Sequence, residues 1–227
     1  MGNEDKRILD LRKTILEDND ADADLLRKEL KRDHTFYLNL MSSPGAGKTT
    51  VIRGTVQRLK DRLKIGVIEA DIDSDVDAVR LRREGIHAVQ VHTGGMCHLD
   101  AAMSRQALEA VGASGLDLVI LENVGNLVCP AEFDTGACLD VVILSVPEGD
   151  DKPLKYPLVF RKSGAALINK TDALPVFDFD PEKAAAGIRD RNPSCAVFPV
   201  SAETGEGMDA WCTWLFERIR KWRSERP

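Results

Sequence analysis

At 227 residues, with 43% hydrophobic and 30% charged residues, the chain can bury one sizeable core, which excludes disorder as a description of the whole chain. Its formal net charge of −6 argues against nucleic acid as the main partner, because proteins of that kind usually carry a basic excess. No apolar run approaches membrane-spanning length and the first residues are too charged for a signal peptide, so we expect a cytoplasmic protein with no membrane partner.

The first 34 residues are predicted to form a helical N-terminal extension to a main domain at 35–227. Apolar residues at roughly helical spacing predict one or two amphipathic helices over Asn3–Arg32, interrupted near residues 18–22. We expect this extension to pack beside the main domain, and a solvated appendage is the alternative.

An apolar run at 36–41 is followed by small residues and then by a helical pattern, which predicts a strand, a phosphate-binding P-loop and a helix. Gly45 and Gly47 permit positive φ angles and let backbone N–H groups converge on phosphate oxygens at the positive end of the helix. The residues expected to bind the nucleotide phosphates are Ser43, Pro44, Gly45, Ala46, Gly47, Lys48, Thr49 and Thr50.

Two side chains of this loop carry chemistry of their own. Lys48 supplies a cation for the β and γ phosphates, and the Thr49 hydroxyl can ligate Mg²⁺. Ser42 stands where the usual motif has glycine, which is a modest change to another small residue. The alternative interpretation is an ordinary strand-turn-helix connection.

Six further apolar segments predict strands, and helical patterns separate several of them. The predicted strands are 64–69, 88–92, 116–121, 141–146, 165–168 and 196–200, and the clearest helices are 101–110, 181–191 and 208–222. This alternation predicts a three-layer α/β/α fold of the P-loop NTPase type, with a mainly parallel sheet of about seven strands and ligands at their carboxyl ends.

Carboxylates follow two of these strands and are candidates for holding Mg²⁺. We expect Asp71, Asp77 and Glu122 to serve with Thr49, because Mg²⁺ prefers a few carboxylates together with water and phosphate oxygens. Asp73 and Asp75 are more typical of solvated acids in the first turn of a helix.

The segment from Glu122 to Gly125 follows the fourth predicted strand and indicates a switch loop in which Gly125 offers a flexible backbone amide. The residues expected to act in hydrolysis are Lys48, Thr49, Asp77 and Glu122. No glutamine follows Gly125 and no arginine stands out to complete a transition-state site, so hydrolysis is expected to be slow without a partner.

A second nucleotide motif, Asn169-Lys170-Thr171-Asp172, ends the sixth predicted strand and resembles the base-recognition element of P-loop GTPases. Asp172 can accept hydrogen bonds from the two adjacent donors on the guanine edge, while Asn169 can meet the guanine acceptors and Lys170 can lie along the ring. Ser201 and Ala202 follow the seventh strand and resemble the second base-contacting loop of the same proteins. Together with the P-loop, these motifs predict GTP and GDP as ligands.

Five cysteines, an odd number in a reducing compartment, favour free thiols or metal ligands over disulfides. Cys97 and His98 follow the third strand and Cys129 follows the fourth, so loops of neighbouring parallel strands can bring them together as ligands of Ni²⁺ or Zn²⁺. The alternative is a buried thiol and a hydrogen-bonded loop histidine. Residues assigned no ligand role are Cys138, Cys195, Cys212, His34, His87 and His92.

With these motifs together, the chain resembles the HypB family of hydrogenase nickel-incorporation GTPases, which is related to the urease accessory protein UreG. The likeness runs from about Tyr37 to Trp214 and is carried by the residues at 39–50, 97–100, 122–130, 148–152 and 169–172. No Cys-x-x-Cys-Gly-Cys motif or histidine-rich tract precedes the P-loop, which argues against a separate nickel site there.

The resemblance implies a GTP-dependent homodimer that delivers Ni²⁺ to a hydrogenase large-subunit precursor, together with a HypA-type nickel metallochaperone and SlyD-like proteins. It places Cys97, His98 and Cys129 at the dimer interface and makes 150–152 candidates for contacts to nucleotide across the dimer. The alternatives are a related GTPase serving urease or a cobalamin-dependent mutase, a regulatory switch with structural zinc and a small-molecule kinase.

Overall fold

The structure, a computed structural model, describes residues 3–71 and 76–225; the side chains of 3–13, 76 and 77 lie outside the description. Within these residues, helices and strands alternate along most of the chain. The elements are α1 (Asn3–Arg32), β1 (Phe36–Ser42), α2 (Lys48–Leu59), β2 (Ile65–Asp71), α3 (Val76–Arg83), β3 (His87–His92), α4 (Ala101–Ala110), β4 (Leu118–Glu122), α5 (Cys129–Glu132), β5 (Leu139–Ser145), α6 (Lys152–Lys155), α7 (Pro157–Lys162), β6 (Ala165–Asn169), α8 (Pro181–Arg191), β7 (Ala196–Pro199) and α9 (Met208–Ser224).

The seven strands form one sheet in the order β3-β2-β4-β1-β5-β6-β7, and every neighbouring pair is parallel. This confirms the predicted α/β fold. The strand that leads into the P-loop, β1, lies at the centre. Because all strands run the same way, the loops that leave β1, β2, β4 and β6 meet at one edge of the sheet.

Helices cover both faces of the sheet, and this explains why β1 is apolar at every position except Asn39 and Ser42. Phe36, Leu38 and Leu40 pack on the face covered by α2, α3 and α9, whereas Tyr37 and Met41 point to the opposite face. Strands buried on both sides need apolar residues at every position rather than at alternate ones. The same central strand can therefore hold the P-loop rigidly from below.

Helix α1 is continuous, so the predicted interruption near residues 18–22 is wrong. Ala23, Leu26 and Leu30 are buried at helical spacing against the sheet and α4, while the aspartates at 18, 20 and 22 remain exposed on the outer face. Because these carboxylates remain hydrated when the helix forms, they do not interrupt it. The predicted packing of the helix against the main domain is seen. None of the helices in the two described ranges is long and apolar enough to cross a bilayer.

A chain of polar side chains runs beneath the P-loop. Asn123 donates to Asn39 Oδ1 (3.0 Å), and Asn39 donates to the Asp140 carboxylate (2.8 Å). Asn39 and Asn123 are fully buried in the centre of the sheet. Removal from water raises the pKa of Asp140 to about 6, and the hydrogen bond from Asn39 acts in the opposite direction.

The Asp140→Asn variant is expected to lose less stability than the native chain when the pH rises from 5 to 7.5. The folded chain holds the Asp140 proton more tightly than the unfolded chain, so the stability that this group contributes at low pH is lost as the pH rises through about 6. The two unfolding free energies should therefore diverge by about 1 kcal/mol across this interval. Urea unfolding at pH 5 and at pH 7.5 measures the unfolding free energies of both chains, and Asp20→Asn, at an exposed position, is the control. Equal changes with pH in the native chain and in Asp140→Asn would contradict a raised pKa of Asp140.

Candidate nucleotide and metal sites

The loop between β1 and α2 has the backbone that a P-loop requires. Gly45 and Gly47 have φ angles of 74° and 99°, in the left-handed region that favours glycine. A Cβ atom on Gly47 would also lie 2.5 Å from Asn169 Nδ2, so the close approach of β6 excludes a side chain there. The loop ends at Lys48, where α2 begins and directs its free N–H groups toward the same space.

A cavity of about 430 Å³ opens beside this loop, at the carboxyl ends of β1, β2 and β4. Lys48 Nζ donates to Ser42 Oγ (3.2 Å), which places the ammonium group beneath the loop. The residues that line the cavity are Pro44, Gly45, Gly47, Lys48, Thr49, Thr50, Glu69, Ala70, Asp71, Arg80, Glu122, Asn123, Val124 and Gly125. The cavity therefore brings the predicted P-loop together with the predicted switch loop.

The oxygen ligands predicted for Mg²⁺ cluster in this wall. The Thr49 hydroxyl donates to Glu122 Oε1 (2.9 Å), and Asp71 lines the same cavity from the end of β2. Hydroxyl and carboxylate oxygens are the donors that Mg²⁺ prefers, so this set fits the ion. The predicted ligand Asp77 lies in α3, and its side chain is outside the described part of the chain.

The sequence analysis missed two charged residues of the cavity wall. Glu69 of β2 is buried and lies in register with Glu122 of β4, so two carboxyl groups stand side by side on neighbouring strands. Arg80 reaches the wall from α3, although no arginine stood out in the sequence. A guanidinium in this position can bind phosphate oxygens. Only the burial of β2 on both faces and the position of α3 reveal these two side chains.

The predicted base site lies beyond the P-loop, at the ends of β6 and β7. Asn169 is buried; its Nδ2 donates to Ala46 O (2.9 Å) and its Oδ1 accepts from Ala202 N (3.1 Å). Here, this side chain ties the P-loop to the 201–202 loop rather than facing open space. Lys170, with a φ angle of 63°, donates to Gly45 O (2.7 Å).

Asp172 is the exposed member of this motif. Ser201 donates its hydroxyl hydrogen to Asp172 Oδ1 (2.6 Å), which fixes the carboxylate between the two loops. A carboxylate fixed at an open surface can accept hydrogen bonds from a ligand without first being ordered. Near the same edge, Asp150 is paired with Lys183 (2.8 Å), and this ion pair lowers the pKa of Asp150.

Cys97, His98 and Cys129 do meet: their ligand atoms all lie within 4.8 Å of one another, and all three residues are half-buried. The two loops emerge at the same edge even though β2 separates β3 from β4, so the strands are not neighbours as predicted. The pKa of the Cys129 thiol is raised, mainly by its hydrogen bond with Cys97 and to a smaller extent by burial. Burial lowers the pKa of His98, which favours the neutral imidazole that binds metals.

Two sulfurs and one imidazole nitrogen fit Zn²⁺ or Ni²⁺, and three ligands leave a coordination position open. The His98 ring is stacked on Phe133, with 3.8 Å between ring centres and 15° between planes, so its orientation is fixed. Cys138, Cys195 and Cys212 lie outside the cluster, and burial raises the pKa of each to about 11. These three thiols therefore behave as small core residues.

Comparison with known proteins gives a consistent result. Residues 37–199 match the model of the CobW/HypB/UreG nucleotide-binding domain. The hydrogenase maturation factor HypB of Rhizobium leguminosarum bv. viciae is 46% identical over 214 residues, which cover 94% of this chain and 72% of that protein. The hydrogenase/urease maturation factor HypB of Helicobacter pylori strain J99 is 37% identical over 96% of this chain and 91% of that protein. The crystal structure of Helicobacter pylori HypB in complex with nickel superposes with a TM-score of 0.84, at 38% identity, over 92% of this chain and 99% of that one.

Proposed function

This chain belongs to the HypB family of CobW/HypB/UreG nucleotide-binding proteins, and we propose that it is a GTP-hydrolysing metallochaperone that delivers nickel during maturation of nickel-iron hydrogenase. One observation carries the proposal. The segment 122–129 begins in the wall of the phosphate cavity and ends at Cys129 of the Cys/His cluster. A single short piece of chain thus belongs to both sites.

In this proposal, the N–H groups of the P-loop bind the phosphates and Lys48 neutralises the β and γ oxygens. Thr49, Asp71, Asp77 and Glu122 hold Mg²⁺, which when bound offsets charge on the two terminal phosphates. The residues that we assign to the guanosine are Asn169, Lys170, Asp172, Ser201 and Ala202. Asn169 serves mainly by bracing the P-loop, given its two bonds to backbone atoms.

Nickel is the cargo, and Cys97, His98 and Cys129 are its proposed ligands. Met96 and Val128, which directly precede the two cysteines, are 43% and 49% exposed. Exposed apolar side chains beside half-buried ligands favour a surface that another protein covers. We assign that surface to a second copy of the chain, whose ligands would complete the coordination, as the family resemblance implies.

Two links tie the switch loop to the P-loop and support coupling between the two sites. Asn126 pairs with Ser42 in an isolated antiparallel bridge, and a Cβ atom on Gly125 would lie 3.1–3.2 Å from atoms of Pro44. These contacts hold the switch loop beside the phosphate site, so closure of that loop on Mg²⁺ and a γ phosphate would displace the segment that leads to Cys129. By thermodynamic reciprocity, nickel must then change nucleotide affinity by the same factor.

Nickel affinity measured in two nucleotide states tests this function. Equilibrium dialysis of Ni²⁺ against the protein with Mg²⁺ and GDP, and again with Mg²⁺ and a non-hydrolysable GTP analogue, should give different affinities, with molar mass followed by light scattering. Identical metal binding in both states would leave a GTPase with structural zinc and would remove nickel delivery from this chain.

The client enzyme is the finer part of the proposal. A HypA-type nickel metallochaperone and the hydrogenase large-subunit precursor are the partners that the family resemblance implies. Urease is a second candidate client, because one relative is named a hydrogenase/urease maturation factor. Capture of the purified large-subunit precursor, but not of urease apoprotein, by nickel-loaded protein would favour the hydrogenase.

A further inference from the structure

One side chain of the N-terminal helix joins the two chain segments that carry the Cys/His ligands. These ligand-bearing loops are the segment 97–101, with Cys97 and His98, and the segment 129–137, with Cys129. Asn19 Oδ1 accepts a hydrogen bond from Ala101 N (2.9 Å), and Asn19 Nδ2 donates to Asp134 O (3.0 Å). Ala101 begins α4, three residues after His98, and Asp134 follows Cys129 by five residues. Because one partner is an N–H and the other is a carbonyl, only one orientation of the amide satisfies both.

Each loop is otherwise held close to its Asn19 contact. On one side, Asp100 caps α4 by accepting from Met103 N (2.8 Å), and Leu99 is fully buried. The backbone between His98 and Ala101 is therefore fixed. A displacement of Ala101 would therefore also move His98, because the residues between them cannot adjust independently.

On the other side, the loop at 133–137 is fixed to α1. Arg27 donates to both carboxylate oxygens of Asp134 (2.5 and 2.7 Å) and to Ala137 O (3.0 Å). A Cβ atom on Gly136, whose φ angle is 75°, would lie 2.7 Å from the Leu26 side chain, so helix and loop approach closely. Phe133 belongs to this loop and stacks on His98, which links the loop directly to a ligand.

We propose that Asn19 is a positioning residue for the Cys97, His98 and Cys129 site: it sets the separation of the two ligand-bearing loops before metal arrives. Ni²⁺ or Zn²⁺ needs its three donors within a few ångströms of one another, and donors from separate loops must otherwise be ordered by the ion itself. The inference rests on the proposed metal site, but it concerns the readiness of the ligands rather than the destination of the metal.

Asn19→Ala is expected to weaken Ni²⁺ and Zn²⁺ binding about 10-fold, the lower end of the effect of losing a residue that orients metal ligands. Competition with a chromophoric chelator measures both affinities, and the thiolate-to-nickel charge-transfer absorption at saturation reports the ligand geometry. We expect that absorption to change in the variant. GDP affinity should remain that of the native chain, because neither hydrogen bond of Asn19 among the described residues involves a residue that lines the phosphate cavity.

Glu29→Gln is the matched control, because it removes the ion pair between Glu29 of α1 and Arg105 of α4 without touching either ligand loop. It should leave metal affinity and spectrum unchanged. Asn19→Asp retains the acceptor for Ala101 but sets a carboxylate oxygen against Asp134 O in place of the donor, so a loss of affinity at least as large as that of Asn19→Ala is expected. This isosteric variant carries the test if Asn19→Ala does not fold.

Native metal affinity and spectrum in both Asn19 variants would overturn the proposal, as would an equal loss in Glu29→Gln, which would mean that docking of α1 in general is responsible. The test of Asn19 compares the metal affinity of each variant with that of the native chain, and this comparison does not depend on the proposed function. A native protein whose metal affinity ignored nucleotide would defeat nickel delivery, yet the ratio of variant to native affinity would still decide the role of Asn19.

Discussion

Asp172→Asn is expected to lower GDP affinity about 100-fold and to raise the affinity for xanthosine diphosphate. The carboxylate accepts from two adjacent donors on the guanine edge, whereas an amide offers one donor and one acceptor. Xanthine presents a carbonyl in place of the exocyclic amine, so the amide pairs with xanthine and leaves guanine with a mismatched donor. The exchange of preference distinguishes base recognition from simple damage to the fold.

The geometry of Asp172 makes this a sharp test. Its carboxylate is held by the Ser201 hydroxyl at 2.6 Å and is otherwise exposed at the mouth of the predicted base site. An asparagine can retain this contact through its own Oδ1, so the local structure should survive. Titration calorimetry with GDP and xanthosine diphosphate measures both affinities, with the exposed Asp178→Asn as the control. Unchanged GDP affinity would place the base elsewhere.

The five inner strands, β2, β4, β1, β5 and β6, could be predicted because they are buried on both faces and therefore form nearly continuous apolar runs. Their ends were less accurate. The second strand was expected at 64–69 and runs from Ile65 to Asp71, and the fourth was expected at 116–121 and runs from Leu118 to Glu122. Strand ends are decided by partners far along the chain, such as the pairing of Asp71 with His92, which hydrophobicity does not encode.

The Cys/His cluster was predictable for a different reason: loops that follow parallel strands emerge at one edge, whichever strand lies between them. Asn19 could not be identified in this way. An asparagine that lies among the acidic residues at 17–24 has the pattern of a solvated residue, and the two hydrogen bonds of Asn19 reach partners 82 and 115 residues away. Whether Asn19 can form these two hydrogen bonds depends on how α1 lies across the sheet, which the local sequence does not specify.

Cys129→Ala is expected to weaken Ni²⁺ binding by about 100-fold or more and to abolish its dependence on nucleotide. The variant removes one of two sulfur ligands, and it removes the one that stands on the segment shared with Glu122. The residual Cys97 and His98 follow β3, away from the links between the switch loop and the P-loop. Metal bound to those two ligands alone should not sense the γ phosphate. Equilibrium dialysis in GDP and in a non-hydrolysable GTP analogue measures both effects.

Cys195→Ala provides the control, because this buried thiol lies among the residues packed beneath α7 and α8 and is not part of the cluster. Its nickel affinity and nucleotide response should match those of the native chain. If Cys129→Ala instead kept the native ratio of affinities in the two nucleotide states, the coupling would have to run through the loop that carries Cys97 and His98. In the sheet order, β2 and its terminal Asp71 lie between that loop and β4, so Asp71 would then be the first residue to replace.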